Sequence, residues 1–169
     1  LKEFAEISDA EWARYVDVNL MSGVRSARAA LPGMLERGWG RILFVASESG
    51  VDVPADMIHY GVTKAATIAL GNGLAKLTRG TGVTGNSILG GPTYSHRVAE
   101  TVAAIATAQG VPVEDLKAAI AAGNQTSLLQ RFIEPDEIAH LAAYLASPRS
   151  SATNGAALRA DGGTLTTML

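Results

Sequence analysis

The apolar positions fall into runs of two kinds, some at helical spacing and some continuous and branched. Segment 8–37 reads as a long helix, with Trp12, Tyr15, Val16, Val18 and Leu20 followed by an alanine-rich stretch to Leu31. Ser8 with Glu11 three residues on has the capping-box spacing. Pro32 is expected to kink or split this helix, and Gly38-Trp39-Gly40 to end it. Segment 41–46, Arg-Ile-Leu-Phe-Val-Ala, reads as a strand buried on both faces, as in a parallel sheet under helices. A polar loop from Ser47 to about Ala55 leads to a second helix over 57–79, stopped at Arg79-Gly80. A second strand is expected over 83–89, weakened by Gly85 in its interior and ended by Gly90-Gly91-Pro92. Segment 94–122 is alanine-rich and helical, interrupted near Gly110-Val111-Pro112. Pro135-Asp136-Glu137 opens a helix that runs to Ala146, with its acids at the positive end of the dipole. Segment 155–160 is the last strand, and Asp161-Gly162-Gly163 turns the chain away.

Strands alternating with helices imply parallel pairing through right-handed crossovers. The fold class is therefore α/β, a doubly wound parallel sheet of which this chain supplies the later strands and helices. Three strands are few for such a sheet, which needs both faces covered. No repeat, linker or domain boundary is visible, so residues 1–169 read as a single partial domain.

Composition narrows the function classes. The chain carries 14 basic and 16 acidic side chains, a net charge of −2, which gives no reason to expect a nucleic acid or an anionic membrane as partner. Hydrophobic residues make up 47%, enough to bury a core. The cysteine count is zero, which removes disulfides and thiolate chemistry and fits a reducing, cytoplasmic setting. No apolar run reaches the roughly 18 residues of a spanning helix. The start, Leu1-Lys2-Glu3-Phe4, does not read as a signal peptide and lacks an initiator methionine, so the chain is expected to begin inside something larger.

The chemistry concentrates around Tyr60 and Lys64, four apart on one helix face. A neighbouring ammonium favours the phenolate, so the pair suits proton exchange with a carbonyl–alcohol couple. Ser47 lies at the carboxyl end of strand 41–46, where open α/β sheets place ligands, and could donate to a substrate oxygen. Asn19 sits inside the first helix, where asparagine is a poor helix former. It is either an exposed polar residue or part of a loosened backbone that holds a water.

Five stretches together resemble the short-chain dehydrogenases/reductases: W-A-R-Y-V-D-V-N-L from Trp12, R-I-L-F-V-A-S-E-S-G from Arg41, Y-G-V-T-K-A-A from Tyr60, G-T-G-V-T-G-N-S-I-L-G-G-P from Gly80, and N-G-A-A-L-R-A-D-G-G from Asn154. They stand in that family's order, with its gap between Ser47 and Tyr60. The resemblance implies a Rossmann-type fold and hydride transfer between NAD or NADP and a small-molecule carbonyl or secondary alcohol. It implies Tyr60 as acid/base, and Lys64 lowering the Tyr60 pKa and holding the nicotinamide ribose. Ser47 would polarise the carbonyl, and Asn19 would anchor a relay water. Asn86 would be structural. Gly91, Thr93 and Ser95 would lie on the cofactor, Thr93 by its backbone and Ser95 by its hydroxyl. Segment 94–130 would be the lid over the substrate. Ser49 is either a second hydroxyl near the substrate or loop chemistry. His59 either lines the substrate pocket or lies on the surface.

The family's Gly-rich pyrophosphate turn, its NAD/NADP-selecting residue and its Asn-Asn-Ala-Gly stretch are not in this chain. A preceding portion on the order of 90 residues would carry them. Gly85 and Gly90 stand where the family has a branched residue and a proline, which predicts a softer nicotinamide-side loop. His96 and His140 have no partner at metal-ligand spacing, so no metal site is expected. Gly61, Ala65, Ala69 and Gly73 give the second helix a small-residue stripe. This either packs inside one subunit or, as the resemblance implies, forms the interface of a homodimer or homotetramer. Two other readings remain: a non-catalytic oligomerising fragment, and a sugar-nucleotide epimerase, which also uses Tyr-x-x-x-Lys.

Overall fold

The computed structural model describes residues 2–168. Three parallel strands form one sheet in the order β1 (Trp39–Val45), β2 (Gly82–Gly90), β3 (Ala157–Ala160). The register sets Trp39 opposite Gly82 and Val45 opposite Ile88, then Ser87 opposite Ala157 and Gly90 opposite Ala160. The helices are α1 (Asp9–Tyr15), α2 (Ser22–Glu36), α3 (Ile58–Leu77), α4 (His96–Gln109), α5 (Val113–Gly123) and α6 (Pro135–Ala146).

The first helical stretch differs from the sequence expectation. A π-helical segment, Val16–Met21, joins α1 to α2, while Pro32 sits inside α2 without ending it. Pro32 is exposed, so its missing N–H and ring are accommodated on the solvent side. The capping box forms as expected: Ser8 Oγ accepts from the Glu11 N–H at 3.3 Å, and the Glu11 carboxylate accepts from the Ser8 N–H at 3.1 Å.

Central β2 is buried from Val83 to Leu89. Edge strand β1 is not buried on both faces as expected. Gly40, Ile42 and Phe44 are buried, Arg41 and Leu43 are half-buried, and Trp39 and Val45 are exposed. Ile42, Phe44 and Val83 form a core with Ala27 and Leu31 of α2, on which Leu70 and Leu74 of α3 pack. Gly71 brings α3 onto the sheet, because a Cβ there would stand 2.6 Å from Ser87 Oγ and 3.2 Å from the Phe44 ring.

Strand β2 runs unbroken through Gly85. A Cβ added at Gly85 would find only ordinary contacts, the nearest 3.5 Å away at the Gly71 carbonyl. Gly85→Ala is therefore expected to stabilise the fold by up to about 1 kcal/mol, through lost freedom of the unfolded chain. Urea unfolding checks this as a rise in the midpoint.

Candidate active site

The carboxyl ends of β1 and β2 and the first turns of α3 bring the predicted chemistry together. Ser47 follows β1, is buried, and starts the 3-10 turn Glu48–Gly50 by accepting from the Ser49 N–H at 3.2 Å. Its hydroxyl donates to Glu48 Oε2 at 2.5 Å and is close enough to Tyr60 to act on its phenol. Tyr60 is half-buried in the first turn of α3, which starts after the Met57 N–H bonds the Pro54 carbonyl. Burial pushes the Tyr60 phenol above its ordinary value. The Ser47 hydrogen bond opposes this rise, and the charges of Glu48 and Tyr15 add to it.

The Lys64 ammonium stands between the Tyr60 ring and the end of β1. It lies 5.5 Å from the Tyr60 ring centre and donates to the Val45 carbonyl at 2.9 Å. Burial lowers the Lys64 pKa. The phenol is raised because its burial outweighs the opposing pull of Ser47.

Asn19 lies within the π-helical segment, so its backbone is indeed loosened. Such bulges leave carbonyls outside the regular ladder and recur at functional sites. The Asn19 side chain donates to Thr63 Oγ1 at 3.0 Å, and its carbonyl accepts from Thr67 Oγ1 at 3.3 Å. Two α3 hydroxyls therefore tether it one and two turns beyond Tyr60. Sequence reasoning missed both, although Tyr60, Thr63 and Thr67 are spaced along one helix face.

His59 is neither exposed nor hydrogen-bonded. It is buried edge-on against Tyr15, with ring centres 4.1 Å apart, and near Trp12 at 6.1 Å; its Nδ1 has no partner among the described residues. Together with Tyr60 and Met57 it lines a small cavity. Ser49 is buried, and its hydroxyl goes to Glu48 Oε1 at 3.4 Å. Glu48, which the sequence did not single out, is thus clasped by both serines. The larger cavity beside Tyr60, about 350 Å³, is lined by Arg14, Tyr15, Val18, Asn19 and Arg97.

After β2 the chain is pinned rather than left to the Gly90 turn. The Tyr94 N–H donates to the Ile133 carbonyl at 2.8 Å, and the Ile133 N–H to the Pro92 carbonyl at 2.9 Å. This parallel bridge turns the Thr93 N–H to the other side. The Thr93 hydroxyl bonds the Gly91 carbonyl, and Ser95 caps α4. Gly91 must be glycine for packing: a Cβ would stand 2.5–2.8 Å from the Asp161 backbone.

Asp161 belongs to the turn after β3. Its buried carboxylate accepts from the Leu165 and Gly163 N–H groups and from Arg159, each at 3.1 Å. Burial pushes this carboxyl up, but those donors outweigh it and hold it below the usual range. A lowered folded pKa means the group contributes stability above the unfolded value of about 3.9, and that stability is lost as pH falls through the folded value. Acid titration of the unfolding midpoint should therefore show the parent losing more stability below about pH 4 than Asp161→Asn.

Comparison with known proteins settles the ancestry. The family model described as enoyl-(acyl carrier protein) reductase matches residues 1–165. The chain belongs to the short-chain dehydrogenase/reductase family. It is 44% identical over 164 residues to the uncharacterised oxidoreductase YvrD of Bacillus subtilis, covering 96% of this chain and 62% of that protein. To a D-beta-hydroxybutyrate dehydrogenase of Cupriavidus necator it is 36% identical, covering 90% of this chain and 58% of the relative. Among solved structures, the L-sorbose reductase of Gluconobacter frateurii, complexed with NADPH and L-sorbose, superposes with a TM-score of 0.91 at 29% identity, over 99% of this chain and 63% of the other. The chain thus spans about three fifths of the length of the relatives it matches. The family's Rossmann-type parallel sheet is the fold that the sequence implied. Among the described residues no helix is long and apolar enough to cross a membrane.

Proposed function

We propose that this chain carries the proton-transfer and substrate-binding part of an NAD(P)-dependent oxidoreductase acting on a small carbonyl or secondary alcohol. The observation that carries the reading is Tyr60, half-buried at a cavity it lines with Asn19 and close to the buried Ser47 hydroxyl. In reduction, Tyr60 Oη gives its proton to the carbonyl oxygen while Ser47 Oγ steadies that oxygen as charge develops. For this, Ser47 must turn its proton from Glu48 to the substrate. A raised phenol pKa keeps Tyr60 protonated through neutral pH, the form that reduction needs.

A nicotinamide dinucleotide, when bound, supplies the hydride. The residues present fit such a group: the Thr93 N–H faces away from its bridge to Ile133, and Ser95 and Lys64 flank the strand ends. Lys64 would reach the ribose by releasing the Val45 carbonyl. Asn19, tethered to Thr63, would hold the water that resupplies the proton.

We further propose that the protein works in the cytoplasm as a homodimer or homotetramer. Support comes from an apolar groove of about 350 Å³ between α2 and α3, lined by Val24, Leu31, Leu70, Leu74 and Leu77. The small-residue stripe divides between the two roles. A Cβ at Gly61 would meet Val53 and the Ser49 carbonyl, whereas Gly73 has open space around it. Leu77, 63% exposed, lies at this groove. Leu77→Glu is expected to shift the mass measured by light scattering towards the monomer, and an unchanged mass contradicts the interface.

The activity is tested by following the oxidation of NADH and of NADPH with a panel of ketones. The reading expects turnover with at least one pairing. Failure with every pairing, in a protein shown to bind the cofactor, contradicts it and favours a non-catalytic assembly role.

A further inference from the structure

Two arginines face the Tyr60 cavity from different elements, Arg14 at the end of α1 and Arg97 in the first turn of α4. Neither has an ion-pair partner among the described residues, although each has acids at helical spacing. Around Arg14, Glu11 is held by Lys2 at 2.5 Å and Asp17 by Arg25 at 2.6 Å. Beside Arg97, Glu100 is 3.2 Å from His96 Nε2. The other residues lining the cavity, Tyr15, Val18, Asn19 and Tyr60, bring no carboxylate to it. Both arginine side chains are exposed, and the described residues that line the recess set two guanidinium groups there with no acidic side chain among them. Arg97 also sits at the positive end of the α4 dipole, where a cation is disfavoured. An anion in the recess would meet both guanidinium groups and the N-terminal end of α4.

We propose that the cavity binds a substrate bearing an anionic group, a carboxylate or a phosphate, held by Arg14 and Arg97 with the reacting carbonyl turned to Tyr60. The proposal rests on the reading of Tyr60 as the acid/base. A guanidinium suits this task because its planar fork matches either oxyanion. Because Arg97 rides on α4, the anion would tie that helix to α1 across the recess.

The test uses the protein as its gene encodes it and separates binding from turnover. Calorimetry measures malonate and inorganic phosphate, neither of which can be reduced, against the parent, Arg14→Gln, Arg97→Gln and the distant control Arg79→Gln. At least one anion should bind the parent and Arg79→Gln alike, and about tenfold or more weaker to each cavity variant. Initial rates then compare acetoacetate with its ethyl ester, and dihydroxyacetone phosphate with dihydroxyacetone. The parent should prefer the charged member of one pair, and that pair tells carboxylate from phosphate. The preference should shrink in both cavity variants. Absence of binding by both anions, equal binding by the variants, or preference for the neutral member of both pairs overturns the proposal. Anion binding that weakens as expected, with no carbonyl reduced, supports the anion site and contradicts the Tyr60 reading. Tyr60-dependent reduction of neutral ketones without anion binding does the reverse.

Discussion

Replacing Tyr60 by Phe should lower kcat for carbonyl reduction by about a hundredfold to ten-thousandfold, the usual contribution of a positioned proton donor. That is about 3–5 kcal/mol of barrier. The substitution removes one hydroxyl and leaves the ring where it packs, so α3 and the cavity walls stay in place. KM should move little, because the lost bond is strongest in the transition state. Ser47→Ala should cost less, since Ser47 steadies the oxygen without moving the proton, and in the free protein its hydroxyl is already engaged with Glu48. Steady-state rates on the three proteins, each with its own cofactor titration, check the ranking. A Tyr60→Phe protein within a few-fold of the parent would remove Tyr60 from the chemistry.

Asn86→Leu should produce the largest loss of stability, roughly 2–4 kcal/mol. Asn86 is fully buried in β2, and both ends of its amide are used. Nδ2 donates to the Thr153 carbonyl at 2.9 Å, and Oδ1 accepts from the Ala156 N–H at 3.0 Å. These two bonds fix the approach to β3, which pairs with β2 over only four residues. Leucine keeps much of the volume but leaves a carbonyl and an N–H without partners. Asn86→Asp should also destabilise, because ionisation would set a buried carboxylate against the Thr153 carbonyl. Urea midpoints measure the series, and a leucine variant as stable as the parent would show that β3 does not depend on this amide.

Much of the architecture was legible because its signals are local. The branched runs at 41–46 and 83–89 became β1 and β2, and the Gly110-Val111-Pro112 break became the gap between α4 and α5. The spacing of Ser47 and Tyr60 led to two side chains that do meet. What could not be read depends on where elements pack. Asn19 hinted at loosened backbone, but the π-helical segment is tied to α3 by Thr63 and Thr67, which are 44 and 48 residues away. Pro32 is a helix breaker by propensity, yet it faces solvent in α2, where packing on β1 holds the helix together. His59 lines a cavity beside Tyr60, one of its two expected places, but nothing local says that Tyr15 and Trp12 will close over it. Lys64 was assigned to Tyr60 by helical spacing, whereas a carbonyl at the end of β1 competes for its ammonium. The closest constraint on Gly91, the Asp161 backbone, lies 70 residues away in the chain and has no local signal.

The most direct test of the central claim is the pH dependence of the two directions of reaction, measured as initial rates on the parent and on Tyr60→Phe. Reduction needs the phenol and oxidation needs the phenolate. Because burial raises the Tyr60 pKa, reduction should hold through neutral pH and fall only in the alkaline range. Alcohol oxidation should climb steadily with pH over the same range. Both trends should disappear from the residual activity of Tyr60→Phe. Trends that survive that substitution, or that run in the same direction for both reactions, would contradict the assignment of Tyr60 as the group that moves the proton.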